Sequence, residues 1–405
     1  MTPKFRRAIL LTVGFVTLTT CLFPLFWPVR PDRTLGPLDK SQTEAISGLP
    51  SLTPEQRSSL KARERQRLIA EPLDLTAFNN LALLENAEGN RAQVDALLLE
   101  ASRRSMRDPL AQFAAMQQGL EKADYVNAFR NLNGLLTVVP KVSQDTFPLV
   151  YQKLDDPKAI AALASALNSN PAWRLPLFQW LTKNDKDFGI TYDLISVLRA
   201  SGGHESISEL QTLTAQLITL KNYDKAYYLW LDSLDVSALA LVSGIFDSKF
   251  TQVPKNLYFD WNIIPTENVT INIGYGSASD QQSSLRLDFS LATKKFQNVY
   301  QFLRLTPGNY ILGGEWQAHN FGGGEGLVWS LSCMEVSKTI GTSTRFKTSM
   351  PPTPFKFKVT VPSTGCDTQF LILTSASDLV LEQALDGEIV FNEVYVKKIE
   401  LGQNE

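Results

Sequence analysis

Histidine is almost missing from this chain: His204 and His319 are the only two in 405 residues. Cysteine is limited to Cys21, Cys333 and Cys366, and methionine to five positions. No HExxH, CxxC or Walker-type glycine loop occurs, so the common metal and nucleotide signatures are absent and neither a metal nor a cofactor is expected. A G-x-S-x-G nucleophile elbow is also missing, and no catalytic residue is assigned. Neither sign of charge is in marked excess, with 39 Lys and Arg against 41 Asp and Glu. The formal net charge is −2, whereas nucleic-acid binding calls for a clustered basic face, so no nucleic-acid partner is expected.

What the chain does have begins at its N-terminus. Lys4, Arg6 and Arg7 precede an apolar run from Ala8 to Trp27, about 20 residues, enough to cross a hydrocarbon core as a helix. Its polar members are Thr12, Thr17, Thr19 and Thr20, whose hydroxyls can bond back to the helix. Basic residues ahead of the run place the N-terminus in the cytoplasm and the bulk of the chain across the membrane. A cleavable signal peptide has the same charged and apolar regions. Here, however, no small-x-small site follows, and Leu22 to Trp27 stays bulky. The reading is an uncleaved signal anchor in the bacterial inner membrane, single-pass, with a periplasmic body.

With 44% hydrophobic and 20% charged residues, the remainder is long enough for two globular domains. The expected division is residues 1–30 as cytoplasmic tip and transmembrane helix, 31–70 as linker and first helix, 71–248 as a helical domain and 249–405 as a β-sandwich. Thr53 followed by Pro54 marks a helix start. The basic run Lys61 to Arg67 is either a solvated face with intrahelical ion pairs or a contact for anionic lipid. Turn-plus-helix segments recur at Ala87–Ala96, Ala123–Phe129 and Lys221–Tyr228, each with an alanine where two helices cross closely. Pro72, Pro109 and Pro140 are spaced 37 and 31 residues apart, bracketing the ~34-residue tetratricopeptide period. These segments resemble tetratricopeptide repeats. The resemblance implies a face for protein partners; a plain helical bundle is the alternative.

Past Phe250 the texture changes to short alternating runs broken by Gly, Pro and Asn. Strands are predicted at Asn268–Ile273, Ser284–Phe289, Tyr310–Leu312, Phe355–Val361, Phe370–Thr374 and Glu388–Val396. Cys333 and Cys366 each close a strand-like stretch here. Behind a membrane segment they are expected to form a disulfide, the alternative being two free buried thiols. The fold class is therefore a multidomain α + β chain: transmembrane helix, α-helical repeats, then an antiparallel β-sandwich.

The order Ser284-Leu-Arg-Leu-Asp-Phe289, Val299-Tyr-Gln301, Leu305-Thr-Pro-Gly-Asn-Tyr310 and Gly387-Glu-Ile-Val-Phe-Asn-Glu-Val394 resembles the galactose-binding-like jelly rolls of carbohydrate-binding modules, over about a third of the chain. Asn392 and Glu393 stand where that group often has aspartate, which puts a structural calcium in doubt. Anchor, helical repeats and sandwich together also resemble membrane-anchored proteins of bacterial exopolysaccharide gene clusters. That likeness implies a non-enzymatic scaffold in polysaccharide assembly or export, with polysaccharide as a possible ligand.

If sugar binds, aromatic rings with a free face should hold it. Trp261 and Trp316 are the candidates, unless they belong to the core; Trp329 alternates in phase with Leu327, Leu331 and Cys333 and should pack inward. His319 and Asn320 open a glycine-rich run through Gly326 that is either a ligand loop or a flexible hairpin tip. Two rival readings remain. One is a glycan-acting enzyme using carboxylates such as Asp260, Glu315 or Glu325, and the other is a purely protein-binding sandwich. The topology is testable directly: a reporter fused after Glu405 should be active only outside the cytoplasm, and activity of a cytoplasm-dependent reporter there would overturn the anchor.

Overall fold

A computed structural model describes residues 52–275, 282–377 and 384–399. The apolar run Ala8–Trp27 and Cys21 lie outside the described residues. Among the described residues no helix is long and apolar enough to cross a membrane. The chain divides into two compact units, Met1–His204 and Glu205–Glu405, so the second unit begins with helices that precede the change of sequence texture.

The first unit is helical. α1 (Pro54–Ala70) starts at the Thr53 cap, where Thr53 and Gln56 form a reciprocal capping box. The predicted basic face of α1 is neither purely solvated nor a free cationic stripe. Glu64 is fully buried between Arg63 and Arg67, and Lys61 is buried against Glu85, 2.9 Å away. The reason is geometric: these lysine and arginine heads are where α2 (Leu75–Ala87) packs, and a buried charge must be paired.

α2 and α3 (Arg91–Arg104) are followed by α4 (Pro109–Glu121) and α5 (Tyr125–Val138). α2 and α4 begin 34 residues apart, as do α3 and α5, with matching lengths. Asp74 caps α2 and Asp108 caps α4, each carboxylate accepting from a backbone N–H. Each also accepts from another helix or its flank: Arg67 reaches Asp74 at 2.6 Å, and Asn79 reaches Asp108 at 2.7 Å. α6 (Ser143–Tyr151), α7 (Pro157–Leu167), α8 (Arg174–Asn184) and α9 (Gly189–Ala200) complete the unit. Their core gathers Phe147, Trp173 and Phe178.

In the second unit, α10 (Ile207–Thr219), α11 (Tyr223–Leu231) and the short α12 (Val236–Leu239) lead into a hairpin of β1 (Val242–Ser243) and β2 (Ile245–Phe246). Two five-stranded sheets follow. Sheet I holds β10 (Met350–Val361), β7 (Gly308–Gly322), β12 (Leu385–Lys398), β5 (Ser283–Ala292) and β4 (Val269–Tyr275), in that spatial order. Sheet II holds β3 (Asn262–Ile263), β6 (Val299–Leu303), β11 (Gln369–Ser375), β8 (Leu327–Cys333) and β9 (Lys338–Thr342). All neighbouring strands are antiparallel. Trp329 of β8 meets Phe391 of β12 at 5.5 Å, so the inner faces of the sheets interdigitate as a sandwich.

Cys333, at the end of β8, is bonded to Cys366, just before β11. The closed loop contains β9 and β10. The sequence separation is 33 residues, a loop whose closure is worth about 3 to 4 kcal/mol in the chain-entropy treatment. Replacing both cysteines by alanine should lower the unfolding free energy of the β unit by that order in a denaturant titration. An unchanged midpoint would show that the bond adds nothing.

Candidate functional site

The two tryptophans expected to face a ligand are in the core. Trp261 is 2% exposed; its indole N–H donates to the Asp247 carbonyl at 3.0 Å, and it packs on Phe250 and Trp329. Trp316 is 7% exposed and lies 4.7 Å from Phe346. Burying such large rings outweighs displaying them, and neither can stack on a sugar. His319 and Asn320 are exposed at the far end of β7, so the four residues do not form one site. Nor is the glycine run a loose tip. β7 continues through Gly322, and a Cβ at Gly323 or Gly326 would overlap the carbonyl oxygen of Ala384 or Phe346. Both glycines have positive φ, and close backbone approach explains them.

Aromatic side chains do reach the surface, on the outer face of sheet II. Antiparallel register places Phe302 opposite Phe370, Tyr300 opposite Ile372, Phe370 opposite Ser332 and Ile372 opposite Ser330. Tyr300 and Phe370 are half-buried with ring centroids 5.2 Å apart, and Phe302 lies 5.3 Å from Phe370. The rung continues outward through Ser330 to Thr342 and through Ser332 to Thr339. One face thus passes from rings to hydroxyls.

This phase is set by two buried glutamines. Gln301 and Gln369 are fully buried in the inward positions of β6 and β11. Gln301 accepts from the Phe246 N–H at 2.9 Å and donates to its carbonyl at 3.0 Å. Gln369 accepts from the Leu305 N–H at 2.8 Å and donates to its carbonyl at 3.3 Å. Each side-chain amide substitutes for a strand rung, satisfying buried main-chain groups. With the amides inward, Tyr300, Phe302 and Phe370 face out.

Tyr258 extends the strip, 6.4 Å from Tyr300 and 5.3 Å from Phe302. Its φ of 69° is left-handed, a conformation costly for a bulky residue. The loop holds it there. Asn262 Oδ1 accepts the Tyr258 N–H, and the Tyr258 carbonyl accepts the Phe302 N–H at 2.7 Å. Beneath, Asp260 accepts backbone N–H groups of Lys255 at 2.9 Å and Leu257 at 2.7 Å. Burial pushes the Asp260 carboxyl up to about 6, against the opposing pull of those N–H groups. Burial, with Tyr258 and Asp260 adding to it, pushes the Tyr300 hydroxyl up to about 12, so it stays a neutral donor and acceptor.

At the other end, α11 docks over Phe302. Tyr227 meets Phe259 edge-on at 5.1 Å, and Trp230 meets Phe246 at 5.3 Å. Arg304, following Tyr300 and Phe302 on the same side of the chain, pairs with Asp224, donates to Thr368 Oγ1 at 3.0 Å and lies over the Tyr227 ring. Tyr227, Phe246, Phe259, Phe302 and Arg304 line a small open recess of about 50 Å³. Trp230 is among its walls, and its indole N–H has no acceptor among the described residues.

The carboxylates considered for catalysis are dispersed. Asp260 is 4% exposed and committed to its loop; Glu315 on β7 accepts from Asn392 at 2.8 Å; Glu325 pairs with Arg345 and Lys347. Among the described residues no three His, Cys, Asp or Glu side chains gather into a metal-binding group.

No family model and no curated protein matches this chain. Solved structures similar to its β-rich part include one described as "CBM4 structure and function", 14% identical, covering 39% of this chain and 99% of that one at a TM-score of 0.29. Another is TmCBM61 in complex with beta-1,4-galactotriose, 12% identical, covering 35% and 90% at 0.24. A third is the CBM22-1 xylan-binding domain from Paenibacillus barcinonensis Xyn10C, 8% identical, covering 35% and 87% at 0.24. At these identities and scores the likenesses assign this chain neither a ligand nor an activity.

The buried aspartate gives a pH test. An aspartate in the unfolded chain titrates near 4, and Asp260 in the folded protein titrates higher, at about 6. The stability tied to its proton is therefore complete below about pH 4 and is lost as the pH rises through about 6. Relative to Asp260→Asn, the native protein should lose roughly 2 to 3 kcal/mol between about pH 4 and pH 7 in denaturant titrations. A pH-independent difference would mean that Asp260 titrates normally.

Proposed function

We propose that this chain is a membrane-anchored extracytoplasmic binding protein, engaged in polysaccharide assembly or export. Its β unit takes polysaccharide on the outer face of sheet II, and its helical unit presents a surface to protein partners. The observation that carries the sugar reading is the half-exposed strip Tyr258, Tyr300 and Phe370, bordered by Ser330, Ser332, Thr339 and Thr342. A pyranose has C–H faces that stack on rings and a rim of hydroxyls that needs hydrogen-bond partners, and the strip offers both. Arg304 adds a donor at the strip's end.

The remaining parts of the proposal rest on other features. The disulfide suits an oxidising compartment, and the basic residues before Ala8–Trp27 suit an anchor with that orientation. Two helix pairs offset by 34 residues suit a repeat array with a partner face. Asp260, whose titration burial raises, is too enclosed to meet a glycosidic oxygen.

Each stacked ring contributes about 1 kcal/mol, and ordering the glycan offsets part of it, so affinities of about 10 μM to 1 mM are expected. In affinity electrophoresis of the full chain through neutral soluble polysaccharides, Tyr300→Ala and Phe370→Ala should each weaken retention about fivefold. Trp261→Phe should not change it. If no polysaccharide retains the protein, or the strip variants run like the native chain, the β unit is instead a protein-binding module.

A further inference from the structure

The outer face of sheet I carries a second surface of different chemistry. Register across β10, β7 and β12 places Lys358, Ile311 and Lys397 in one row and Lys356, Gly313 and Tyr395 in the next. Strand geometry puts Lys358 and Lys397 about 10 Å apart and Lys356 about 7 Å from Lys358. All three lysines are exposed, and none has a carboxylate partner among the described residues. Lys397 Nζ lies 4.6 Å from the centroid of the Tyr395 ring. Gly313 leaves room for that ring: a Cβ there would stand 2.9 Å from the Tyr395 hydroxyl.

Lysines on an edge strand commonly guard against sheet-to-sheet aggregation, and β10 is an edge. That accounts for Lys356 and Lys358. It does not account for Lys397, which sits on β12, the middle strand of the sheet. The adjoining row is acidic, with Glu315 opposite Glu393. The cationic area is therefore bounded on that side, and an anionic chain must lie along the lysine rows, not across the whole sheet. No large apolar side chain is fully exposed in these rows for insertion into a bilayer; Ile311 is half-buried. Thr360 and Asn309, hydrogen-bonded to each other at 2.8 Å, supply polar groups one row further on.

We infer that this face is an electrostatic site for acidic, carboxylate-bearing polysaccharide, with Lys356, Lys358 and Lys397 meeting successive carboxylates and Tyr395 beside the sugar rings. The inference rests on the polysaccharide reading above and adds to it a second site, for a charged polymer, on the opposite sheet.

The test uses the full chain and three probes: polygalacturonate, the same polymer fully methyl-esterified, and phosphatidylglycerol vesicles. Polygalacturonate should bind at least about tenfold tighter than its ester. Raising salt from about 20 to 200 mM should cut that affinity about tenfold, because exposed charges are screened. The triple variant Lys356→Gln, Lys358→Gln, Lys397→Gln should lose the preference for the acid, and the triple arginine variant should keep it. Equal binding of acid and ester, or an unchanged triple glutamine variant, overturns the inference; so does vesicle binding that exceeds polygalacturonate binding. The two readings fail separately. Loss of neutral-glycan retention in Tyr300→Ala tests only the aromatic strip, and salt-sensitive polygalacturonate binding that survives Tyr300→Ala belongs to the lysines.

Discussion

The amides of Gln301 and Gln369 set the phase of two neighbouring strands, and the outer face of sheet II depends on that phase. Each is fully buried, and each bonds both main-chain groups of one residue, Phe246 or Leu305. An unmet amide in such a core costs on the order of 1 to 3 kcal/mol, so rotating either strand by one residue is forbidden from both directions. It would expose the bonded partners and bury the rings of Tyr300 and Phe370 against the disulfide side of the sandwich. The outward rings, the docking of α11 over Phe302 and the placing of Arg304 all follow from that fixed phase.

The same constraint explains which parts of the sequence were readable. Strands β4, β5 and β10 alternate apolar and polar residues in the ordinary sense, and strands were expected at Asn268–Ile273, Ser284–Phe289 and Phe355–Val361 within them. In Val299-Tyr-Gln-Phe-Leu and Gln369-Phe-Leu-Ile-Leu the polar residue points in and the aromatic points out, which reverses the usual inference. Trp261 and Trp316, the larger rings, went to the core. A glutamine repeated at the same phase in two neighbouring apolar strands was the available signal. The paired cysteines were legible because each closes a strand-like stretch of the same β-rich segment, and the bond is present. The basic run on α1 was only half legible: intrahelical pairing to Glu64 could be seen from spacing, but Glu85 comes from the next helix and Glu88 from its C-terminal cap.

The helical unit was readable at its caps. Asp74 and Asp108 stand 34 residues apart, and each stops one set of orphan N–H groups while taking a bond from a neighbouring helix or its flank. A residue with two such duties marks the period more faithfully than the prolines, which are displaced from it by a few residues. The change of texture near Phe250 was equally visible. What it could not reveal is that α10, α11 and α12 group with the β unit, because the aromatic faces that attach α11, Tyr223, Tyr227 and Trp230, resemble those of any packed helix.

The partners of the two glutamine amides are main-chain atoms, and this has an evolutionary consequence. A backbone N–H and C=O are the same whatever residue carries them, so the amide bonds constrain 301 and 369 but not the side chains at 246 and 305, which answer only to apolar packing, Phe246 against Trp230 and Leu305 in the core. The outward positions 300, 370 and 372 make no demand on the frame beneath. Lineages descended from this sandwich would then keep two polar columns inside its most apolar strands and exchange the residues displayed above them. Ligand preference could diversify over a scaffold that does not change.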